Sequence, residues 1–233
     1  MKKLLLAFDI DGTLLNANGA GRHALQLAMS AHFGDEQGME KVPFAGRTDR
    51  AIMRDILANR GLSSDQINDH LHVVAGLYVK IFREHEAHYN ILPLPGVVVL
   101  LEKLCANPMV TLTLLTGNLE ESAFVKLGKA SLAHFFKIGS YGSDSEERDH
   151  LPRILLNRIP NNNGAVADPK RLVIIGDTPL DIKCARHAGS VAIAVATGIF
   201  SSDQLRPHSP DLLLEDLSDP QPFLNFLKTL SSL

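Results

Sequence analysis

Two carboxylates one residue apart, Asp9 and Asp11, directly follow the apolar run Leu4-Leu5-Leu6-Ala7-Phe8 and are succeeded by Gly12 and Thr13. Asp177 follows a second apolar run, Leu172 to Ile175, and Thr116 a third, Val110 to Leu115. Carboxylates grouped in this way offer hard oxygen ligands, which suit magnesium better than zinc. A cation there would also offset the repulsion between an anionic nucleophile and an anionic phosphate. Gly12 lets the chain turn tightly, and the Thr116 hydroxyl could donate to a phosphate oxygen.

These residues lie more than a hundred positions apart, so their chemistry depends on the elements that carry them. Lys3 to Phe8 reads as a strand buried on both faces, because its apolar run is continuous rather than alternating. Val110 to Leu115, Leu172 to Ile175 and Val191 to Ala196 read the same way, with helical patterns between them. The expected fold class is therefore α/β, a doubly wound, Rossmann-like parallel sheet. In such sheets the carboxyl ends of the strands form the ligand crevice, which would bring Asp9, Asp11, Thr116 and Asp177 together.

The stretch from about Ala20 to Asn90 has helical periodicity and no convincing strand. Thr48 is a plausible N-cap for a helix from Asp49 to Arg60, ended by Gly61. Further on, Ile67, Leu71, Val74, Tyr78, Ile81 and Phe82 share one helical face, while Asp65, Asp69, Lys80 and Glu84 fall largely elsewhere. Leu92-Pro93-Leu94-Pro95-Gly96 marks the return to the sheet, since proline restricts both itself and its predecessor. The expected organisation is a core of residues 1–15 and 93–233 with an inserted all-helical cap, 16–92. Other candidate breaks are Asn16 to Gly21 and the loop Pro160 to Pro169.

Composition narrows the partners. The chain has 233 residues, 45% of them hydrophobic, enough for a substantial core. A formal net charge of −3 gives no electrostatic reason to expect nucleic acid or an anionic membrane, which favours a small molecule as partner. The N-terminal apolar run is too short for export, and no stretch approaches the ~20 apolar residues that span a bilayer. Cys105 and Cys184 have no CxxC spacing and read as reduced thiols, hence a cytoplasmic protein, as monomer or homodimer.

Taken together, Asp9-Ile10-Asp11-Gly12-Thr13 resembles the first signature of the haloacid dehalogenase-like superfamily, in its phosphoglycolate phosphatase-like branch. Thr116-Gly117-Asn118 resembles the second signature, and Gly176-Asp177-Thr178-Pro179-Leu180-Asp181 the fourth. The resemblance covers essentially the whole chain, and the helical stretch falls where the family carries its α-helical cap. It implies a magnesium-dependent phosphatase acting on a small phosphorylated metabolite. Asp9 would attack phosphorus to form an aspartyl-phosphate, and Asp11 would serve as general acid and base. Asp9, the main-chain carbonyl of Asp11 and Asp177 would hold Mg2+, with Asp181 supporting them.

The third signature normally supplies a lysine, and none lies at the expected distance before Leu172, since Lys170 is too close to that strand. Arg148 is the candidate in its place, with Arg153 one helical turn further on as the fallback. Gly117, Asn118 and Arg47 are candidate substrate-binding residues, Arg47 because the family often contacts substrate from a cap loop; Arg22 and His23 have similar standing. His85 and His88 could share a helical face, yet no further ligands follow at a zinc-site spacing.

Three rivals stand beside this reading. The dehalogenase branch lacks an acid at the position of Asp11, so Asp11 argues against it. A phosphomutase resembling β-phosphoglucomutase would keep Asp11. A catalytically silent binding protein would retain the fold as an interaction module.

Overall fold

The computed structural model describes residues 3–159 and 167–231. In chain order the elements are β1 (Leu4–Phe8), β2 (Leu15–Asn16), α1 (Ala20–Phe33), α2 (Asp49–Asn59), α3 (Ser64–Glu84), β3 (Leu92–Pro93), α4 (Val97–Cys105), β4 (Val110–Leu115) and α5 (Glu120–Lys129). There follow β5 (Gly139–Ser140), α6 (Leu151–Arg158), β6 (Leu172–Gly176), α7 (Pro179–Ala188), β7 (Val191–Val195), α8 (Ser202–Leu205), β8 (Leu212–Leu214) and α9 (Gln221–Ser231).

Six strands form one parallel sheet in the order β5-β4-β1-β6-β7-β8, as the continuous apolar runs require. Period-two alternation divides each strand between two packed faces. Leu4, Leu6 and Phe8 point into the larger core with α4, α5 and α9, while Leu5 and Ala7 face α6 and α7. Val173 and Ile175 of β6 join the first core, and Leu172 and Ile174 the second. The sheet is thus covered on both faces, as expected of a doubly wound fold. The short edge strands β5 and β8 had no apolar run long enough to reveal them.

The ends of the expected elements move by about one residue. β1 begins at Leu4 rather than Lys3, β7 ends at Val195 rather than Ala196, and α2 ends at Asn59, with Arg60 as its C-cap before the left-handed Gly61. Thr48 caps α2 as anticipated, accepting a hydrogen bond from the Ala51 amide at 3.2 Å. Of the expected Pro160 to Pro169 loop, positions 160–166 lie outside the described residues. Cys105 is an exposed free thiol and Cys184 a buried one.

Between β2 and β3 the regular elements are helices. The six apolar residues read from sequence are all buried on α3, which packs against α1, α2 and α5. Asp65, Asp69, Lys80 and Glu84 are exposed. The two connections to this layer lie side by side as an antiparallel pair, β2 against β3. A second junction forms where the loop before α2 meets the sheet: the Asp49 amide donates to the Gly117 carbonyl at 2.7 Å, and Thr48 Oγ1 to the Glu146 carbonyl at 2.7 Å. Arg54 adds a forked pair of bonds to Glu146, at 2.5 and 2.9 Å. No helix among the described residues is long and apolar enough to cross a membrane.

Candidate active site

Asp9, Thr116 and Asp177 stand at the carboxyl ends of adjacent strands. Asp9 leaves β1, with its amide bonded to the Ile175 carbonyl of the neighbouring β6 at 2.9 Å. Thr116 leaves β4, with its amide on the Ser140 carbonyl at 3.1 Å. Asp177 leaves β6, beside β1. Asp9, Asp11, Thr116, Gly117, Asn118, Arg148 and Asp177 line one cavity of about 560 Å³, which the loop carrying Phe44 to Arg47 covers from the helical side. A groove of similar size between α3 and α5 contains none of these carboxylates.

Asp9, Asp177 and Asp181 are all buried, and one carboxylate oxygen from each lies within 4.8 Å of the others. Their countercharge is Arg148, which precedes α6 in a turn of 3-10 helix. Its Nη2 lies 3.3 Å from Asp9 Oδ2 and 2.5 Å from Asp181 Oδ1. Of the two arginines weighed from sequence, Arg148 reaches the site and Arg153 is exposed. Burial pushes Asp9 up to about 6; Arg148 opposes this, Asp181 adds to it, and the Thr116 hydroxyl holds it down slightly. Burial, then Asp181 and Asp9, raise Asp177 well above the usual carboxylate range. Burial alone would lower the Arg148 pKa, but Asp181 and Asp9 outweigh it and raise it.

Asp181 is structurally committed. Its Oδ2 accepts from the Thr178 amide at 3.0 Å and the Thr178 hydroxyl at 2.7 Å, closing a capping box at the start of α7, while Oδ1 takes Arg148. Asp177 accepts from Thr13 Oγ1 at 3.0 Å on Oδ1. Gly12 sits at φ +78°, and a Cβ there would fall 2.4 Å from Asp177 Oδ2; one on Gly198 would be closer still. Both glycines therefore leave room for this carboxylate at the strand ends. Such an all-oxygen cluster fits a hard divalent cation better than it fits Arg148 alone.

Asn118 is buried, and its amide is fully engaged. Nδ2 donates to Asp11 Oδ2 at 2.8 Å and to Thr116 Oγ1 at 2.9 Å, while Oδ1 accepts from Lys126 Nζ at 2.5 Å. Gly117 meets the covering loop directly, since a Cβ on it would lie 2.0 Å from the Arg47 carbonyl oxygen. Arg47 lines the cavity, but its guanidinium is paired with Asp55 at 2.7 Å. Arg22 also lines the cavity and stacks 3.9 Å over the Phe44 ring, whereas His23 contacts Tyr89 at 3.3 Å.

Sequence reasoning missed a second polar group in the same cavity. Lys126, almost fully buried on α5, places Nζ 2.6 Å from Asp11 Oδ2. Asp49, at the first turn of α2, accepts from the Leu119 amide at 2.9 Å, and its remaining surface faces the cavity. Burial lifts Asp49 to about 6 despite the attraction of Lys126 and the bond from Leu119. The sequence signal for Lys126 was a charge on the helical face it shares with Ala123 and Leu127, whereas Asp49, the first residue of α2, reads as an ordinary first-turn acid.

The family model for haloacid dehalogenase-like hydrolases matches residues 6–195. Phosphoglycolate phosphatase 1 of Pseudomonas aeruginosa is 26% identical over 223 residues, covering 94% of this chain and 78% of that one. The phosphoglycolate phosphatase of Aquifex aeolicus is 24% identical over 219 residues, covering 92% and 93%. Among solved structures, CbbY from Rhodobacter sphaeroides in complex with phosphate superposes with a TM-score of 0.67 at 16% identity, covering 93% of this chain and 96% of that one. With the match spanning every strand-end residue of the site, this chain belongs to the haloacid dehalogenase-like hydrolase family.

Proposed function

We propose that this protein is a magnesium-dependent phosphatase that hydrolyses the monoester of a small phosphorylated metabolite through an aspartyl-phosphate on Asp9. The observation that carries the reading is the placement of Asp9: buried at the end of β1, faced by Arg148 at 3.3 Å and followed two residues on by the cavity-facing Asp11. In the first step an Asp9 oxygen bonds to phosphorus as the ester P–O bond breaks, and the leaving alkoxide takes a proton from Asp11. In the second, Asp11 accepts a proton from the water that attacks the aspartyl-phosphate, releasing inorganic phosphate and regenerating Asp9. Thr116 and Arg148 are placed to hold phosphoryl oxygens. Mg2+, held by Asp9, the Asp11 carbonyl and Asp177, would supply the positive charge that lets two anions approach.

Residues 16–92 act in this reading as a cap on a core of 1–15 and 93–233. The cap excludes water with the loop that meets Gly117. The relatives' name makes phosphoglycolate the first ester to try. A carboxylate-bearing substrate also suits a cavity that Arg22 lines. Free thiols at Cys105 and Cys184 support a cytoplasmic setting.

The test is release of inorganic phosphate from a panel of small esters, with and without magnesium, for the intact protein and Asp9→Asn. Magnesium-dependent release lost in the variant is the expected result. Release that survives Asp9→Asn would overturn the role of Asp9. A hexose phosphate in the panel, with product analysis, separates hydrolysis from transfer to a second hydroxyl.

A further inference from the structure

The family signatures give no role to Lys126, a buried cation of the cavity. Lys126 projects from the buried face of α5 and is 3% exposed, with its ammonium 5.8 Å from the centre of the Phe82 ring of α3. Its Nζ donates to Asp11 Oδ2 at 2.6 Å and to Asn118 Oδ1. Asn118 Nδ2 donates to that same Asp11 oxygen at 2.8 Å. The three side chains therefore close a triangle in which both donors fall on Oδ2, and among the described residues no donor reaches Oδ1. The Asp11 side chain keeps 42% of its surface, on the cavity side, while that of Lys126 keeps 4%.

A buried lysine is a poor way to stabilise this position. Its neighbours on the helix face are Ala123 and Leu127, and the desolvation cost of a buried pair often equals or exceeds its Coulombic gain. A two-point hold on one carboxylate oxygen does have a geometric result, because it fixes the rotation of the carboxyl group and leaves its other oxygen to the cavity.

We infer that Lys126 is a positioning residue for Asp11: with Asn118 it pins Oδ2, so that Oδ1 is presented to the leaving-group oxygen of the substrate. The inference rests on the reading of Asp11 as the leaving group's proton donor. Lys126 acts only through Asp11 and touches no reacting atom. A lysine that merely stabilised the seam would lower activity equally for every ester.

The experiment compares kcat/KM, which reports the steps up to aspartyl-phosphate formation, for two esters and two backgrounds. Phosphoglycolate has an alkoxide leaving group that needs a proton, whereas p-nitrophenolate leaves p-nitrophenyl phosphate without one. Lys126→Met should lower kcat/KM about 100-fold for the alkyl ester and less than about 5-fold for the aryl ester, within the range general-acid catalysis supplies. In an Asp11→Asn background, Lys126→Met should cause no further loss on either ester. Equal losses on both esters, or a full additional loss in that background, would overturn the assignment. Should Lys126→Met not melt cooperatively, Lys126→Gln keeps a polar head but ends one atom short of the Nζ that reaches Asp11 Oδ2, and the same pattern is expected of it. If the intact protein hydrolyses neither these nor any other ester, the phosphatase reading fails and this inference with it. Turnover with uniform loss rejects the role of Lys126 alone.

Discussion

Two groups of acids stand at the same cavity, and they are compensated differently. At the strand ends, Arg148 bridges Asp9 and Asp181 with one guanidinium nitrogen, while among the described residues Asp177 has only the Thr13 hydroxyl as a side-chain donor. At the seam with the helical layer, Lys126 makes its contact with Asp11, and Asp49 must rely on the Leu119 amide and the more distant Ser122 hydroxyl. The first group therefore holds its acids in a shared electrostatic cluster that invites a further cation. The second fixes the direction of a single carboxylate. Nucleophile and metal chemistry need concentrated charge; a proton donor needs orientation.

The largest expected effect comes from the first group. Asp9→Asn removes the nucleophile with little change of shape, and phosphate release should fall by at least about 10³-fold with the fold intact. Circular dichroism alongside the assay separates the two. A variant that folds and turns over within tenfold of the parent would show that the strand-end cluster is structural.

Arg148→Met tests whether that cluster depends on its one cation. Asp9 and Asp181 would remain buried without their shared partner, so unfolding free energy in urea should drop by about 3–5 kcal/mol. Turnover should fall as well. A stability change below about 1 kcal/mol would mean that the cluster is already relieved by protonation, and that the ion pair contributes little to the fold.

The contrast between the groups also decides what could be read from sequence. Asp9, Thr116 and Asp177 each follow an uninterrupted apolar strand, and strand ends of a parallel sheet converge, so their meeting was foreseeable. Arg148 was legible only because a basic residue was required before β6, and its choice over Arg153 needed the burial of the turn it occupies. Lys126 and Asp49 were not legible. They lie on helices from opposite sides of the seam, and nothing in the spacing of one helix says which residue of another it will meet. Arg47 illustrates the reverse: its loop does cover the cavity, but Asp55, eight residues on, holds its guanidinium.

A smaller effect probes the seam as a docking surface. Gly117→Ala would place a methyl group 2.0 Å from the Arg47 carbonyl oxygen, a backbone atom that cannot rotate away. Separating the loop from the sheet end should cost about 1–3 kcal/mol, as overpacking does, and raise KM more than it lowers kcat. Unchanged melting would mean that the loop yields freely and that its contact with Gly117 does not hold the cavity closed.

The smallest effect is a pH dependence, and it separates Asp49 from every other acid. Its folded-state pKa is raised from 3.8 to about 6, chiefly by burial. Between these values the folded state holds a proton that the unfolded state has released, so stability declines as pH rises through this window and levels off above it. Asp49→Asn keeps an oxygen for the Leu119 amide and cannot ionise. Asp9 and Asp177, also raised, contribute equally to parent and variant and cancel in the comparison. The variant's advantage over the parent should therefore grow from pH 4 to pH 6 by about 1–2 kcal/mol, reduced from the full shift because Asp49 partly faces the cavity. Chemical denaturation at four or five pH values measures it. A difference that stays flat would mean that Lys126 compensates Asp49 fully, and the seam would then be a network of three charges rather than a lysine dedicated to one carboxylate.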